Sequence, residues 1–392
     1  MPKLLRISTV PLSLDLLLKG QFAFMQQNGF EVFLASSEGK EIQNIEAETG
    51  IKVHLLPLKR NISLLNDLRA LWATYILIKR IQPDIVHTLT PKAGLIGMMA
   101  SCLASVPVRI HTFTGLIFPS KKGLFQKLLI LMDQLLCKCA THINPEGEGV
   151  KRDLIQYQIT SKPLKILAHG NVNGIDLNYY DKSLFTESKK QDLSKALNIA
   201  PTDFVFTFVG RLVGDKGINE LVEAFTQLST PPPLEGAGGR TKLLLVGTEE
   251  PKLDPLSPET QRQIKEHPGI ITVGWQEDIR PYLAISDAFV FPSYREGMPN
   301  VVLQAGAMGL PQIVTDINGS NEIITHGING IIIPPKQVQA LEEAMHLLLE
   351  DESYRNSLSQ NARDIIAKSF DQKLVWEALL QEYKSLTYAQ SN

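Results

Sequence analysis

The sequence predicts an α/β protein made of two doubly wound domains, each a parallel β-sheet covered by helices. Strands and helices alternate along all 392 residues, which is the pattern of repeated βαβ units. Several strand segments are continuous apolar runs, such as 204–209 and 243–246, and such runs are typical of parallel strands buried on both faces. Ligands are then expected at the carboxyl ends of the strands.

The first half contains seven predicted strands, near 3–9, 31–36, 52–56, 84–89, 108–112, 141–143 and 164–168. Helices fill the intervals, among them 64–81 and 123–139. The uncharged run 93–108 is too short to span a bilayer and predicts a buried crossover helix. No segment of this half is expected to cross a membrane.

The second half contains six predicted strands, near 204–209, 242–246, 270–273, 288–291, 311–315 and 330–333. The turn-rich run 170–176 predicts a boundary between domain 1–172 and domain 173–392. We expect the last helix, about 371–392, to pack back toward the N-terminal domain. The Pro- and Gly-rich segment 231–239 predicts a surface loop.

The two halves differ in charge. Residues 1–165 hold 20 Lys and Arg against 12 Asp and Glu, and the remainder holds 19 against 29. The asymmetry indicates either two different partners or two solvated surfaces of opposite sign. The basic half carries no nucleic-acid recognition motif, so we expect no nucleic-acid partner.

The segment 287–322 predicts a strand, a loop, a helix and a second strand in close succession. The first strand ends at Pro292, the loop carries Glu296, and the helix begins near Pro299, where proline fits the first turn. The free N–H groups at a helix start carry partial positive charge and suit a phosphate.

A second segment, 208–219, places Arg211 and Lys216 in a loop between a strand that ends at Gly210 and a helix start near Gly217. Arginine can bind phosphate bidentately, and lysine acts as a point charge. The pair therefore indicates a diphosphate site. The alternative is a solvated loop whose cations serve only solubility.

Together these segments resemble the retaining, GT-B-fold glycosyltransferases of family 4. That family has two glutamates separated by seven residues, and Glu296 matches the first of them, while Gly319 and Glu322 match a later Gly-x-x-Glu turn. Gly274-Trp275 stands where the family packs the nucleotide base. The resemblance implies two Rossmann-like domains facing a central cleft, the first binding an acceptor and the second a nucleotide sugar.

Carried over position by position, the resemblance implies that Arg211 and Lys216 hold the donor diphosphate and that Glu296 binds hydroxyls of the donor sugar. These three are the predicted catalytic residues. The predicted donor-binding residues are Gly210, Gly274, Trp275, Gly297, Pro299, Asn300, Val301, Gln304 and Glu322.

This chain departs from the family pattern at Gln304, which stands at the second glutamate. A glutamine can accept one hydrogen bond and donate another, but it lacks the charge that strengthens a carboxylate hydrogen bond. We expect weaker or altered nucleotide binding with activity retained.

The predicted acceptor or active-site residues of the first domain are His111, Thr114, Gly115 and Lys19. Family members often place a histidine directly before the glycine, where this chain has Thr114. His111 comes three residues earlier, at the expected carboxyl edge of a strand, and is equally compatible with an active-site or a structural role. The same two alternatives hold for His87 and His169.

The segment 113–127 combines apolar residues with Lys121, Lys122 and Lys127. This combination suits peripheral contact with an anionic membrane surface. The alternative is a crossover loop that leads into a core helix. The N-terminus does not have the pattern of a signal peptide, so we expect a cytoplasmic protein at the inner face of the cell membrane.

The resemblance implies a retaining hexosyltransferase that moves a sugar from a nucleotide diphosphate donor, most simply UDP-linked, to a lipid-linked glycan in capsule or O-antigen synthesis. No Asp-x-Asp motif occurs in the chain, and no second Cys or His pair stands at ligand spacing beside Cys137 and Cys139, so no metal and no other cofactor is expected. Two alternatives stay open: a UDP-sugar 2-epimerase of the same fold, and a non-catalytic sugar-nucleotide-binding protein, which Gln304 suggests.

Overall fold

The structure is a computed structural model that describes residues 1–59, 61–228, 241–251 and 254–388. The predicted surface loop at 231–239 lies outside these residues. The chain divides into two compact units. The first unit comprises Met1–Gly174 together with Gln372–Asn392, and the second unit is Ile175–Asp371.

The first unit is built on a six-stranded parallel sheet with the order β3-β2-β1-β4-β5-β6. Its strands are β1 (Lys3–Ile7), β2 (Glu31–Ser36), β3 (Val53–Leu55), β4 (Ile85–Leu89), β5 (Val108–Phe113) and β6 (His142–Pro145).

Helices cover both faces of this sheet. They are α1 (Pro11–Leu17), α2 (Gln21–Gln27), α3 (Ile42–Thr49), α4 (Leu64–Ile81), α5 (Pro91–Leu103), α6 (Gly123–Cys139), α7 (Glu148–Gln156) and the last helix of the chain, α16 (Gln372–Tyr388). A short 3-10 helix, Phe118–Ser120, precedes α6. The α5 helix packs between α4 and α6.

A buried polar network holds α16 in the first unit. The Tyr383 hydroxyl accepts a hydrogen bond from Arg6 Nη1 at 2.6 Å and lies 2.6 Å from His87 Nδ1. All three side chains are buried. Burial, and then the nearby charge of Arg6, lowers the pKa of His87 well below its ordinary value, so this imidazole is neutral.

The second unit repeats the sheet plan with the order β12-β11-β10-β7-β8-β9, again parallel. Its strands are β7 (Phe204–Val209), β8 (Thr241–Val246), β9 (Ile270–Gly274), β10 (Ala288–Phe291), β11 (Gln312–Thr315) and β12 (Gly330–Ile333). Its α-helices are α8 (Glu187–Ala196), α9 (Ile218–Leu228), α10 (Pro258–Glu266), α11 (Arg280–Ala284), α12 (Asn300–Ala307), α13 (Ser320–Ile323), α14 (Val338–Glu350) and α15 (Glu352–Phe370).

Each sheet has one point where the strand order reverses. In the first unit it lies between β1 and β4, and in the second between β7 and β10. Loops that leave two such strands run in opposite directions and open a crevice at the carboxyl ends of the strands. The segments that follow β7 and β10 therefore line the crevice of the second unit.

The predicted α/β class is confirmed, and the predicted helices 64–81 and 123–139 coincide with α4 and α6. The predicted strand 164–168 is wrong. Only Leu164 pairs there, in an isolated bridge with Ile143. The chain then turns through positive φ at Ala168 (50°) and Gly170 (96°), which ends any extended run.

No helix within the described ranges is both long and apolar enough to cross a membrane.

Candidate active site

The candidate site lies where the loops after β7 and β10 meet, at the strand-order reversal of the second unit. Lys216 ends a 3-10 helix, Gly214–Lys216, that follows β7. Glu296 lies in the loop between β10 and α12. The side chains of Lys216 and Glu296 are hydrogen-bonded and form an ion pair, 80 residues apart in sequence.

This ion pair is sheltered from solvent. The side chains of Lys216 and Glu296 are only 14% and 15% exposed. Ser293 Oγ donates a second hydrogen bond to the same carboxylate oxygen, Oε1, at 2.7 Å. The Lys216 ammonium also lies over the Phe291 ring, 5.6 Å from its centroid, so the cation has a fixed position between the two loops.

Glycine permits the close approach of the two loops. Gly217 has φ +70°, and a Cβ atom at this position would lie 2.1 Å from the carbonyl oxygen of Pro292. A side chain therefore cannot be accommodated without moving the backbone that carries Lys216. Gly319 is similar, with φ +78° and a Cβ position 2.0 Å from the carbonyl oxygen of Gly297.

Arg211 follows β7 on the same loop as Lys216, immediately after Gly210. Its guanidinium Nη1 donates to Glu250 Oε2 at 3.0 Å, and both side chains are substantially exposed. The structure thus places Arg211 beside the segment after β8, and it does not bring Arg211 into contact with Glu296. An exposed pair of this kind is weak and easily exchanged for another anion.

The helix α12 begins directly after the loop that carries Glu296. Pro299 is its N-cap residue, and no side chain caps this end. Gly297 and Pro299 are buried, whereas Asn300 and Val301 are half-buried. The Val302 amide donates to the Pro299 carbonyl at 3.1 Å, and the start of the helix places the positive end of its dipole next to Glu296.

Gln304, one turn into α12, donates from Nε2 to the hydroxyl oxygen of Tyr180 at 2.8 Å. Burial, and then the neighbouring Tyr179, raises the pKa of Tyr180 above its ordinary value, so the phenol stays protonated. Because Nε2 is engaged by Tyr180, the amide is oriented, and Oε1 is its acceptor for any further partner.

The remaining predicted donor-side residues lie on neighbouring loops. Glu322 Oε1 accepts a hydrogen bond from the Gly319 amide at 3.1 Å and so closes the start of α13. Gly274 ends β9 with φ +68°, and Trp275 follows with 60% of its surface exposed.

His111 is not placed as expected. It lies inside β5, two residues before the strand ends at Phe113, and it is 1% exposed. Its Nδ1 is 2.8 Å from Thr88 Oγ1, and its ring packs edge-on against Phe113. Burial lowers the pKa of His111 to about 3, so the imidazole is neutral. These contacts are those of a structural histidine beneath α5, and the expected place at the strand end is wrong.

The other predicted first-unit residues occupy separate positions. Thr114 and Gly115 follow β5 directly and are half-buried, and Gly115 has φ +108°. Lys19 is exposed, and its ammonium lies 3.3 Å from Glu48 Oε1 on α3. His87 belongs to the α16 network, whereas His169 is exposed.

Neither Ser293 nor Tyr180 was among the predicted site residues. Ser293 is 0% exposed and contacts Glu296, and its place in the Pro-Ser pair before the loop was the available signal. No sequence signal indicates Tyr180, because its contact with Gln304 spans 124 residues. No group of three or more His, Cys, Asp or Glu side chains within the described part of the chain is placed to hold a metal ion.

Comparisons with known proteins identify the family of the chain. A family model for glycosyl transferases group 1 matches residues 189–365, and one for a glycosyl transferase 4-like domain matches residues 21–170. The capsular polysaccharide biosynthesis glycosyltransferase CapM of Staphylococcus aureus is 30% identical over 384 residues, covering 98% of this chain and 97% of that protein.

A second relative is the UDP-Gal:alpha-D-GlcNAc-diphosphoundecaprenol alpha-1,3-galactosyltransferase of Escherichia coli. It is 30% identical, with 90% of this chain and 88% of that protein covered. Among solved structures, Anabaena Alr3699/HepE in complex with UDP and glucose superposes with a TM-score of 0.81 at 20% identity. That comparison covers 98% of this chain and 100% of the other.

The two parallel sheets and the paired loops at the strand-order reversal define a two-domain α/β protein of the GT-B fold class. The chain belongs to the family 4 glycosyltransferases, and it is an enzyme of the hexosyltransferase type. The expected family is therefore confirmed, and the relatives named above are glycosyltransferases rather than epimerases.

Replacing Gly217 by alanine tests the close approach of the two loops. We expect Gly217→Ala to lower the free energy of unfolding by about 3 kcal/mol or more, because positive φ and the clash with Pro292 act together. Gly309→Ala is the matched control, since Gly309 has φ +75° and no atom within 4 Å of its Cβ position; it should cost about 1–2 kcal/mol. Urea unfolding measures both, and equal losses would contradict the steric argument.

Proposed function

We propose that this glycosyltransferase moves a sugar from a UDP-linked donor to a hydroxyl of a lipid-linked saccharide, with retention of anomeric configuration, in surface polysaccharide synthesis. The observation that carries the proposal is the sheltered Lys216–Glu296 pair beside the start of α12. The cation, the carboxylate and the positive end of a helix dipole stand together at the strand-order reversal, where open α/β sheets bind ligands.

The cationic part of the site suits a diphosphate leaving group. Lys216 supplies a fixed positive charge, and Arg211, five residues earlier on the same loop, can exchange its exposed contact with Glu250 for a phosphate oxygen. The positive end of the α12 dipole adds to this charge. Stabilising the charge that develops on the leaving diphosphate is usually the largest catalytic contribution.

Glu296 suits the sugar part of the donor. Lys216 and Ser293 both bind its Oε1, which fixes the carboxylate and leaves Oε2 as the acceptor for sugar hydroxyls. A carboxylate accepts hydrogen bonds about twice as strong as those of a neutral acceptor. Lys216 therefore has two functions in the proposal, because it orients Glu296 and neutralises the diphosphate.

Retention follows from the family's chemistry, in which the acceptor hydroxyl attacks the face that the leaving diphosphate vacates. The departing phosphate oxygens then lie near the attacking hydroxyl and can take its proton. We assign no side chain as nucleophile or general base. No metal is part of the proposal, because Arg211, Lys216 and the start of α12 supply positive charge to the diphosphate.

Two relatives support the acceptor class. The Escherichia coli relative is named for a GlcNAc-diphosphoundecaprenol substrate, and a Campylobacter jejuni relative, 27% identical, for a diphospho-undecaprenol saccharide. The Escherichia coli enzyme's name and the HepE complex support UDP as the nucleotide. Such an acceptor would be met at the cytoplasmic face of the membrane, so we propose peripheral association there.

A thermal-shift panel of UDP-, GDP-, ADP- and CMP-sugars in the presence of EDTA tests the donor assignment. A ligand at 100 times its dissociation constant stabilises the folded state by about 2.7 kcal/mol, so UDP-sugars should raise Tm and the other nucleotides should not. A shift only with another nucleotide, or only after metal is added, would refute the corresponding part of the proposal.

Removing either cation should abolish most of the turnover. We expect Lys216→Met and Arg211→Ala each to lower kcat by about 10²–10³, because a developing charge loses its counterion. Transfer of radiolabelled sugar to a synthetic lipid-diphosphate saccharide measures the rate. Lys189→Met, at an exposed lysine of α8, should behave as wild type, and near-normal rates in both test variants would refute the diphosphate assignment.

The Tyr180 hydroxyl should support nucleotide binding through Gln304. In Tyr180→Phe the amide loses the contact that orients it, and we expect about three- to tenfold weaker binding of UDP. Tyr179→Phe is the control, because the Tyr179 hydroxyl makes no hydrogen bond within the described residues. Titration calorimetry measures both, and an unchanged affinity in Tyr180→Phe would show that nucleotide binding by Gln304 does not depend on the Tyr180 hydroxyl.

Gln304→Glu should change UDP affinity only modestly.

A further inference from the structure

Exposed apolar side chains concentrate on two helices of the first unit. The outward residues of α4 are Leu65, Leu68, Trp72 and Ile76, and those of α6 are Leu124, Leu128, Leu131 and Leu135. Their exposure ranges from 40% to 85%. We call these eight residues the α4–α6 face. The apolar residues of segment 113–127 were predicted to contact a membrane, whereas no such contact was predicted for α4.

The spacing makes each set one continuous stripe. Steps of three or four residues along each helix place the side chains on a single side, and both α4 and α6 pack against α5. All three helices connect strands in one direction across the sheet, so they form one layer on one side of it. The two stripes therefore look outward from the same layer.

The exposed charges on these helices and the loop before α6 are all positive. They are Arg69, Lys79, Arg80, Lys121, Lys122, Lys127 and Lys138. The two acids of the helices are turned away from solvent. Asp67 is bound by Lys92 at 2.6 Å, and Asp133 lies on the half-buried side of α6, where desolvation raises its pKa to about 7. The face thus combines large apolar residues with cations.

The combination of apolar residues and cations discriminates between two possible partners of the face, a second copy of the chain and a lipid surface. A second copy of the chain docked face to face would bring two sets of seven cations together, which is repulsive. An anionic lipid surface instead neutralises the cations and accepts the apolar side chains at its interface, where tryptophan is favoured. Charge complementarity therefore favours a membrane over self-association.

We propose that the α4–α6 face docks the enzyme on an anionic lipid bilayer, with Trp72 and the leucines at the interface. The inference rests on the proposed lipid-linked acceptor for its purpose. Helices α4 and α6 begin at the carboxyl edge of the first sheet, since each follows a parallel strand. Docking through this face holds that edge close to the surface from which a lipid-linked saccharide projects.

Vesicle sedimentation tests the proposal with the intact protein. Wild type should bind vesicles containing about 30% phosphatidylglycerol and should bind pure phosphatidylcholine at least about tenfold more weakly. The variant Leu65→Ser/Leu68→Ser/Leu128→Ser/Leu131→Ser should lose at least about tenfold in binding to anionic vesicles. Its control is Leu184→Ser/Leu347→Ser, which removes exposed leucines of the second unit and should bind as wild type.

A charge series separates electrostatic from apolar contributions. Lys121→Glu/Lys122→Glu/Lys127→Glu should lose at least about tenfold in binding to anionic vesicles. The same number of reversals in the second unit, Lys189→Glu/Lys195→Glu/Lys265→Glu, should lose much less. Equal losses in the two triple variants would overturn the proposal, because net charge alone would then explain the binding.

Trp72 provides a direct readout of the docked residue. Its side chain is 64% exposed, so its emission should shift to the blue when it enters the interface. Trp72→Phe should still bind vesicles but should lose most of this shift, since the signal then comes only from Trp275 and Trp376. A full shift in Trp72→Phe would place another tryptophan at the interface and overturn the assignment.

The thermal shift with UDP distinguishes a failure of membrane docking from a failure of donor binding. The quadruple serine variant should retain the UDP shift of wild type while it loses vesicle binding. If vesicle binding stands and no UDP shift is seen, the donor assignment fails alone. If wild type does not bind vesicles but sediments as a dimer, and the serine variant sediments as a monomer, the face is a subunit interface and the docking proposal is wrong.

Discussion

The candidate site depends on one steric constraint, the contact of Gly217 with the carbonyl of Pro292. This approach brings the loop after β7 against the loop after β10, and it is possible only because residue 217 has no Cβ atom. Lys216 precedes that glycine, so its ammonium reaches Glu296. The contact between Gly319 and Gly297 fixes the other side of the same loop. Backbone packing, rather than the ion pair, therefore sets the distance between the two charged groups.

Much of this arrangement could be predicted, because local patterns determine it. Continuous apolar runs indicated the buried parallel strands, and parallel strands deliver the segments that follow them to one edge of the sheet. Lys216 and Glu296 each follow such a strand, so their proximity required only the strand order. The ends of α4 and α6 could also be predicted from the sequence, since uninterrupted helical patterns end at Gln82 and Ala140.

Other features depend on contacts between distant parts of the chain. Tyr180 orients Gln304 across 124 residues, and Arg211 turns toward Glu250; no local pattern encodes either choice. His111 lies deeper in its strand than expected, because β5 runs to Phe113 rather than to residue 112. The α4–α6 face could not be predicted either, because its exposure depends on how the helices pack. Apolar stripes usually predict a buried side of a helix, and only the packed layer shows which stripe stays exposed.

A double-mutant cycle on Lys216→Met and Glu296→Gln tests the central claim, that these two residues act as one unit in sugar transfer. The value of kcat/KM for the UDP-sugar is measured for wild type, both single variants and the double variant. We predict strong non-additivity, with the double variant less impaired than the product of the single effects by at least about tenfold, as for directly coupled side chains. Single effects that simply multiply would show that the two residues act independently and would contradict the account.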